Sequence, residues 1–478
     1  MNSPVRFGTD GWRGRIAYDF TFENVARAAR AMAETFRERS PKLDMMIVGH
    51  DRRFLSRAFA QTAATIYASA DYDVLLAETY LPTPVLSWAT KHMPGVAAAT
   101  VITASHNPPS WNGFKIKEPF GGSAPPTTTR SIEEKIVGMT DADSFPPMEA
   151  EFENASRAGA ITPFNPWPKY VRSMLKQVDV KTIKKAKLKI AVDTMFGAAS
   201  NHYSKLLRSI GVDVEALHED DNPGFCGVAP EPIAKNLLEI ASLVKRKKLR
   251  CGLATDGDSD RLGAIDEKGN YFTTQQILSL VYWHMLRHRK KHWSIARSVS
   301  TTRMVDLVAS RVGQRCYETP VGFKYIAEKM VAGDAQIGGE ESGGIGIIDH
   351  IPERDGILTG LLLLEIIAVT GKGLKANYDE LCREERPYYF TRLDLHITKD
   401  QMESAMSRLN QRPPGAWDGR KVKTPLMIDG FKYYLEDGAW ILIRPSGTEP
   451  IFRLYAEAET QKAADHLVDV ARRFVVGT

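Results

Sequence analysis

The sequence predicts an α/β protein of several domains that ends in a smaller α+β unit. Apolar, strand-like runs are followed by turns of Gly, Asp and Ser and then by helical segments, at 45–51, 96–108, 188–199 and 249–261. A strand, a polar turn and a helix in succession are typical of the βαβ units of parallel sheets. The chain has 478 residues, and at roughly 100–200 residues a domain this length predicts three or four domains.

Local patterns predict the individual elements. Residues 22–39 have helical spacing and many alanines, and 45–51 and 96–102 have the apolar character of buried strands. Residues 140–168 are rich in Pro, Asp and Ser and predict a linker with little regular structure. The apolar run 357–370 is shorter than the about 20 residues of a membrane span and contains a glutamate, so it predicts a buried helix.

Composition also places the domain boundaries. The linker ends a first unit, the turn at 267–270 closes a second, and the charged segment 383–387 closes a third. The remaining tail is rich in strands, with two of them around a tight loop at 440–458 and a helix after them, which indicates an α+β unit. The predicted domains are 1–160, 161–269, 270–386 and 387–478.

Charge and cysteine content argue against several classes of protein. The 63 basic and 58 acidic residues leave a net charge of +5, a weak bias that does not indicate nucleic-acid binding, which requires a concentrated basic patch. The N-terminus has no apolar signal-peptide region. The four cysteines are far apart and form no CxxC pair, so a zinc site or a disulfide framework is not expected. We expect a cytoplasmic protein without nucleic-acid or membrane partners.

Four polar loops carry the candidate chemistry, and the first is TASHNPP (103–109), followed by Lys115. It begins where a buried strand ends, which is where open α/β sheets place their ligand sites. Ser105 is a candidate nucleophile or phosphate carrier, although His106 beside it in sequence need not face it. Lys115 would serve in proton transfer if nearby positive charge lowered its pKa. A Ser/Asn/Pro turn between elements would explain the loop equally well.

The second loop, DGDSDR (256–261), alternates three carboxylates directly after an apolar strand. Like charges this close repel, and a hard divalent cation with oxygen ligands would neutralise them, with Mg²⁺ the natural candidate at an open site. Arg261 follows directly and would pair with a phosphate on the same ion. A solvated acidic turn is the alternative.

The third and fourth loops suit a sugar and a phosphate. GGEESGG (338–344) combines flexible glycines with Glu340 and Ser342, which can hydrogen-bond sugar hydroxyls, although a Gly-rich hairpin would look the same. RPSGTEP (444–450), with Arg453 close behind, offers hydroxyls, loop amides and arginine as a phosphate cradle. A hairpin turn with an Arg–Glu ion pair is the alternative.

At these loops the chain resembles the α-D-phosphohexomutase family over nearly its whole length. FGTDGWRG (7–14) is similar to the opening motif of the family, TASHNPPSWNGFK (103–115) to its phosphoserine loop and DGDSDR (256–261) to its metal loop. GEESGG (339–344) and RPSGTEP (444–450) resemble its sugar and phosphate loops, in the order of the family. The resemblance implies four domains around a central cleft, three of them related α/β units with mixed sheets and the last a smaller α+β domain.

The resemblance also implies a role for each matched residue. Ser105 would carry the phosphoryl group, and a phosphoserine oxygen would bind Mg²⁺ together with Asp256, Asp258 and Asp260. His106 and Lys115 would assist proton transfer, while Arg13 and Arg261 would neutralise the reacting phosphate. The substrate residues implied are Thr319, Gly322 and Lys324 of the segment TPVGFK (319–324), Glu340, Ser342, His350, Arg354, Arg444, Ser446, Gly447, Thr448 and Arg453.

The expected reaction is interconversion of glucose 1-phosphate and glucose 6-phosphate, with glucose 1,6-bisphosphate as intermediate and activator. Phosphoserine would give its phosphoryl group to the sugar phosphate and take the other phosphate back. Glu341 between Glu340 and Ser342 resembles glucose-phosphate mutases more than mannose or glucosamine types. A phosphomannomutase, a mutase of dual specificity, a glucose 1,6-bisphosphate synthase and a non-catalytic phosphosugar-binding protein remain alternatives, and the chain would be a monomer or a dimer.

Overall fold

The structure is a computed structural model that describes residues 5–139, 148–411, 413–445 and 451–477. Within these residues the chain forms three mixed sheets, each flanked by helices, and one antiparallel sheet near the C-terminus. The predicted fold class, three related α/β units and a smaller α+β unit, is confirmed.

The first unit has a six-stranded sheet in the order β1-β5-β4-β2-β3-β6. Strand β2 lies parallel to β3 and β4, whereas β5 is antiparallel to both of its neighbours. Its elements are β1 (Trp12–Arg15), α1 (Phe22–Arg39), β2 (Met45–His50), α2 (Ser56–Ser69), β3 (Asp73–Ala77), α3 (Thr83–His92), β4 (Val96–Ile102), β5 (Trp111–Lys117), α4 (Pro126–Gly138), α5 (Met148–Arg157) and β6 (Ile161–Phe164).

The second unit has a five-stranded sheet in the order β11-β10-β9-β7-β8, in which β7 is parallel to β8 and β9 and β10 is antiparallel to both of its neighbours. Its elements are α6 (Trp167–Met174), α7 (Val180–Lys185), β7 (Lys189–Asp193), α8 (Tyr203–Ser209), β8 (Asp213–Leu217), α9 (Leu238–Lys247), β9 (Gly252–Thr255), β10 (Leu262–Ile265) and β11 (Tyr271–Phe272).

The third unit repeats this topology, with the order β13-β12-β14-β15-β16. Helix α13 in this unit is capped at its start by Asp355, whose side chain accepts a hydrogen bond from the backbone N–H of Leu358, and most of it is buried. The elements are α10 (Thr274–Arg287), β12 (Ile295–Ser298), α11 (Met304–Arg311), β13 (Cys316–Thr319), α12 (Phe323–Val331), β14 (Ile337–Gly339), β15 (Ile345–Ile347), β16 (Ile351–Arg354), α13 (Gly356–Thr370) and α14 (Leu374–Glu384).

The fourth unit is an antiparallel sheet in the order β17-β22-β21-β20-β19-β18, with helix α16 packed on it. An apolar cluster that includes Leu467 of α16 and Ile441 of the sheet forms its core. The elements are β17 (Tyr389–His396), α15 (Lys399–Gln411), β18 (Ala416–Trp417), β19 (Arg420–Leu426), β20 (Phe431–Leu435), β21 (Trp440–Pro445), β22 (Ile451–Ala458) and α16 (Gln461–Val476).

The first two sheets extend past the predicted domain ends. Strand β6 pairs with β3 beyond residue 160, and the turn at 267–270 joins β10 to β11 within the second sheet. The predicted linker 140–168 also contains helix α5, the strand β6 and the start of α6, while residues 140–147 lie outside the described residues. Strand β6 contains Pro163, and a proline is tolerated there because β6 lies at the edge of its sheet.

The described helices include no single one with the length and apolar character needed to cross a bilayer. Helices α13 and α14 satisfy that test only as a pair, which is bent by 78°.

Candidate active site

The three α/β units present their polar loops at equivalent positions. In each sheet a central parallel strand is followed by an antiparallel neighbour, and the loop between the two carries the chemistry. The loop between β4 and β5 holds Ser105, the loop between β9 and β10 holds residues 256–260, and the loop between β14 and β15 holds Glu340. Repeated topology therefore explains why three motifs far apart in sequence meet at one place.

Ser105 is fully buried and held in a left-handed backbone conformation, with φ of 52°. Its Oγ donates a hydrogen bond of 2.7 Å to Oδ2 of Asp256, on the second unit, whereas Nδ1 of His106 lies 3.4 Å away. Positive φ is uncommon outside glycine and often marks functional sites. The nucleophile candidate of one unit thus points directly at the metal candidate of the next.

Arg53 anchors the Ser105 loop by hydrogen bonds to its backbone, a role that was not identified from the sequence. Its guanidinium donates to the carbonyl oxygens of Ser105 and Asn107, each at 2.6 Å, and to those of Pro108 and Trp111. Nε of Arg53 lies 3.2 Å from Oδ2 of the buried Asp51. The available signal was the charged run 51–53 directly after a buried strand, the same placement that marked Ser105.

The three aspartates form a compact oxygen cluster. One carboxylate oxygen from each of Asp256, Asp258 and Asp260 lies within 4.8 Å of the others, and all three residues are fully buried. Among the described residues, Oδ1 of Asp258 and Oδ1 of Asp260 have no hydrogen-bond partner. Unpartnered buried carboxylate oxygens are costly unless a cation binds them. The donor set therefore fits a hard divalent cation.

The electrostatics of the cluster are asymmetric. Burial raises the pKa of Asp256 well above its ordinary value, and the charges of Asp258 and Asp260 raise it further. Burial acts in the same direction on Asp258, but the ammonium group of Lys115 overrides it and lowers the pKa of Asp258. Thr83 also donates to Oδ2 of Asp258 at 2.5 Å. The cluster holds more negative charge than its protein neighbours neutralise, chiefly at Asp256.

Lys115 does not meet the condition set for it as a proton-transfer group. Its Nζ lies 2.7 Å from Asp10, 2.8 Å from Asp258 and 3.0 Å from Asp260. Burial disfavours the charged amine, but these three carboxylates raise the pKa of Lys115 above its ordinary value. The sequence showed the lysine but not the aspartates around it, and the condition of a lowered pKa is not met in this structure.

Positive charge surrounds His106 on the other side of Ser105. Burial lowers the pKa of His106 well below its ordinary value, and the neighbouring Arg261 and Arg13 lower it further. Arg13 donates to the side-chain oxygen of Asn107 at 2.7 Å, and Nε of Arg261 lies 3.7 Å from Asp260 and has no hydrogen-bond partner among the described residues. This arrangement favours a neutral imidazole beside Ser105.

Arg354 connects the sugar loop to the metal loop. Its guanidinium pairs with Asp10 of the first unit, lies 2.8 Å from Asp260 of the second and lies 3.6 Å from Glu340 of the third. Although burial disfavours its charge, the carboxylates raise the pKa of Arg354 above its ordinary value, with Asp260 contributing most among them. Asp10 belongs to the opening motif FGTDGWRG, but nothing in that motif indicated a partner 344 residues away.

Of the remaining sugar-site candidates, Gly322 contacts Glu340 directly. Oε1 of Glu340 accepts a hydrogen bond of 3.0 Å from the backbone N–H of Gly322, so the segment 319–324 lies against the sugar loop. Oγ of Ser342 is buried without a hydrogen-bond partner among the described residues, and burial lowers the pKa of the partly exposed Lys324. Thr319 instead bonds to backbone carbonyl groups within its own unit.

A buried carboxylate binds one side of the His350 ring. The His350 side chain is fully buried, with Nε2 3.0 Å from Oδ2 of Asp355 and the ring of Tyr170 beside it. Tyr170 donates to the same carboxylate oxygen of Asp355 at 2.6 Å. Closeness in sequence to Arg354 suggested a substrate contact, but the buried carboxylate that caps α13 binds the imidazole instead.

Glu341 faces the fourth unit. Its Oε1 accepts from Arg392 of β17 at 2.9 Å and lies 3.3 Å from the hydroxyl group of Tyr455 of β22. The residue on which the glucose hypothesis depended therefore has protein partners in this structure.

The phosphate-loop candidates lie only partly within the described residues. Ser446, Gly447 and Thr448 lie outside them. Arg444 and Arg453 occupy directly opposite positions on the antiparallel strands β21 and β22, and Nε of Arg453 is buried without a hydrogen-bond partner in the described part of the chain. Like charges directly opposite are destabilising; Asp429, 2.9 Å from Nε of Arg444, offsets part of this charge, and a bound anion would offset more.

Comparisons with known proteins agree with this arrangement. Models of phosphoglucomutase/phosphomannomutase α/β/α domains I, II and III match residues 4–142, 168–269 and 273–384, and the model of the C-terminal domain matches 402–473. The chain belongs to the phosphoglucomutase/phosphomannomutase family. Its relatives are named as mutases of phosphorylated sugars.

Relatives in the family differ in the sugar that they are named for. The chain is 30% identical to a phosphoglucomutase/phosphomannomutase of Thermococcus kodakarensis over 97% of both chains. It is also 30% identical to a probable phosphoglucosamine mutase of Methanosphaera stadtmanae, over 99% of this chain and 98% of that one. The crystal structure of a putative phosphomannomutase from Thermus thermophilus has a TM-score of 0.85 at 33% identity, covering 99% of this chain and all of that one.

Proposed function

We propose that this family member interconverts glucose 1-phosphate and glucose 6-phosphate through phosphoserine at Ser105 and a bisphosphorylated sugar. The observation that carries the proposal is the hydrogen bond between Ser105 Oγ and Asp256, made within a buried cluster of three carboxylates. A buried serine beside uncompensated carboxylates has no evident structural purpose, but a phosphoserine beside a bound cation does.

In the proposed reaction, the bond between phosphorus and Ser105 Oγ breaks and a bond from phosphorus to a sugar hydroxyl oxygen forms. The hydroxyl group would lose its proton to the neutral imidazole of His106. Ser105 Oγ, which leaves as an alkoxide, would take up that proton from His106, whose Nδ1 lies 3.4 Å away, so that one proton moves in total from the sugar hydroxyl to the serine. Arg13 and Arg261 would neutralise the phosphoryl oxygens, since phosphoryl transfer depends mostly on positioning and on charge. Asp256, Asp258 and Asp260 would hold Mg²⁺, which when bound supplies further neutralisation of phosphoryl charge.

The rest of the cleft would hold the sugar. Glu340 and Ser342 would bind hydroxyl groups, and Arg444 and Arg453, with Ser446, Gly447 and Thr448, would bind the phosphate that is not reacting. The bisphosphate would then turn over and return its other phosphate to Ser105. Arginines and loop amides suit this task because they can bind a phosphate at either end of the sugar.

Intact mass of the purified protein tests the phosphoserine step. After incubation with glucose 1,6-bisphosphate and Mg²⁺, we expect a gain of one phosphate, about 80 Da, on the wild type and on Ser110→Ala, the exposed serine of the same loop. Ser105→Ala should show no gain. If Ser105 never carries phosphate while the protein still binds sugar phosphates, the binding-protein alternative replaces the mutase.

Turnover of glucose, mannose and glucosamine 1-phosphates tests the sugar separately. We expect the highest kcat/KM with glucose 1-phosphate, as the name of the T. kodakarensis relative allows. Glucosamine is the second candidate because the M. stadtmanae relative is equally similar. A higher kcat/KM with another sugar would overturn glucose and leave the phosphoserine mechanism standing.

A further inference from the structure

A turn of the fourth unit contacts the sugar segment of the third through one carboxylate. Asp429 lies in the turn between β19 and β20. Its Oδ1 accepts a hydrogen bond of 2.9 Å from Nε of Arg444, and its Oδ2 accepts one of 2.9 Å from the backbone N–H of Val321. Asp429 therefore joins the phosphate-site arginine directly to the segment 319–324.

The turn is shaped to hold this carboxylate in place. Gly430, the next residue, has a φ of +90°, and a Cβ there would lie 2.7 Å from the carbonyl oxygen of Ile443 and 3.0 Å from Cα of Arg444. A glycine is needed both for the backbone angle and for this close approach. The turn thus packs against the backbone of the arginine that Asp429 binds.

The contact continues into the sugar loop. The backbone N–H of Val321 donates to Asp429, and that of the next residue, Gly322, donates to Glu340. Glu340 in turn lies 3.6 Å from Arg354, which pairs with Asp260 of the metal loop. A buried apolar cluster of Val299, Trp440, Leu442 and Tyr455, with Val321 against it, joins the same two units.

We propose that Asp429 is a positioning residue that fixes Arg444 for phosphate binding and couples this binding to the sugar segment. The role of Arg444 rests on the proposed function. Asp429 engages Nε, so it fixes the plane of the guanidinium group and leaves the edge with the two terminal nitrogens to a bidentate phosphate contact. Fixing this group before the substrate arrives lowers the entropy lost on binding.

Kinetics of Asp429 variants test the proposal. Asp429→Ala and the isosteric Asp429→Asn should raise the KM for the hexose 1-phosphate about tenfold, equivalent to about 1.4 kcal/mol, with a smaller change in kcat. Asp429→Glu, which keeps the charged acceptor, should recover most of the loss. Asp418→Asn is the matched control, because Asp418 pairs with His466 within the fourth unit. A purely structural role would lower the active fraction and leave KM unchanged.

Two further measurements separate this proposal from the proposed function. Hydrogen exchange of the Val321 amide should be faster in Asp429→Ala than in wild type, whether or not the protein turns over any sugar. On an Arg444→Ala background, Asp429→Ala should raise KM little further, because the two act as one unit. If no hexose phosphate is turned over, calorimetric binding of glucose 6-phosphate replaces KM. Unchanged Val321 exchange, or fully additive effects, would overturn the proposal.

Discussion

Replacing Asp256 by Asn should stabilise the protein without metal and remove its response to Mg²⁺. Two full charges 4.8 Å apart repel by about 3.5 kcal/mol at an effective dielectric constant of 20, and Asp256 faces two such neighbours. Protonation relieves this repulsion, and accordingly the pKa of Asp256 lies well above its ordinary value. The asparagine removes the charge, its Oδ1 can still accept from the backbone N–H of Arg261, and its Nδ2 can donate to the hydroxyl oxygen of Ser105 in place of the bond that Asp256 accepts.

The sign of the pH dependence follows from the raised pKa. A group whose pKa is higher in the folded than in the unfolded state stabilises the fold fully below the unfolded pKa, near 4, and loses that contribution as pH rises toward the folded pKa. The wild type therefore loses stability through Asp256 as the pH rises in this window, and the variant does not. The advantage of Asp256→Asn should grow from pH 5 to pH 7.

The assay is native-state hydrogen exchange of the segment 252–265, because a four-domain chain does not unfold in a single step. Protection is measured in EDTA at pH 5 and pH 7, corrected for intrinsic exchange, and again with Mg²⁺. Asp213→Asn, which removes an exposed charge of the same unit, should show no such dependence. If Asp256→Asn is less protected than wild type in EDTA at pH 7, with no change between the two pH values, the repulsion argument is refuted.

Three further substitutions test the way the site is assembled. Gly257→Ala would push a Cβ into the carbonyl oxygen of Ser105, so we expect weaker Mg²⁺ binding by calorimetry; unchanged affinity would show that the two loops need not touch. Arg53→Met leaves the Ser105 loop without its anchor and a buried Asp51 unpaired, which costs about 3–5 kcal/mol; we expect a lower Tm and at least a hundredfold loss of kcat/KM, and wild-type values would contradict this. His350→Phe should lower Tm with KM unchanged, because the side chain contacts Asp355; a raised KM would restore it as a substrate residue.

The sequence predicts best where a single local pattern carries the information. The helix over residues 22–39 begins and ends as predicted, and the buried strands at 45–50 and 96–102 lead into polar turns as expected. Ser105 and the three aspartates stand out because they follow buried strands directly, where open α/β sheets place their ligand sites. The prediction of a linker with little regular structure at 140–168 was wrong because helix α5 and strand β6 lie within it. Strand β6 is an edge strand, which can pair with its sheet despite a proline.

Contacts between distant segments were beyond the reach of the sequence. The sequence does not show that Asp10, Asp258 and Asp260 surround Lys115. It also does not show that Arg53 binds the backbone of a loop more than 50 residues further along the chain. Asp429 lies in an ordinary Asp-Gly turn whose meaning depends on the packing of a different domain. Motifs identify the groups that react, but only the fold shows which charges set their protonation.

The repeated position of the three loops divides one reaction among three separate sheets. Ser105, the carboxylate cluster and the sugar loop each stand on a different sheet, and each holds only a fragment of the proposed chemistry. No isolated unit should retain even weak turnover. A substitution that disturbs the packing of one unit against another should abolish activity although every motif is intact. Substitutions at the surfaces between units, remote from any reacting atom, are therefore where loss of activity with an unaltered active-site sequence should be sought.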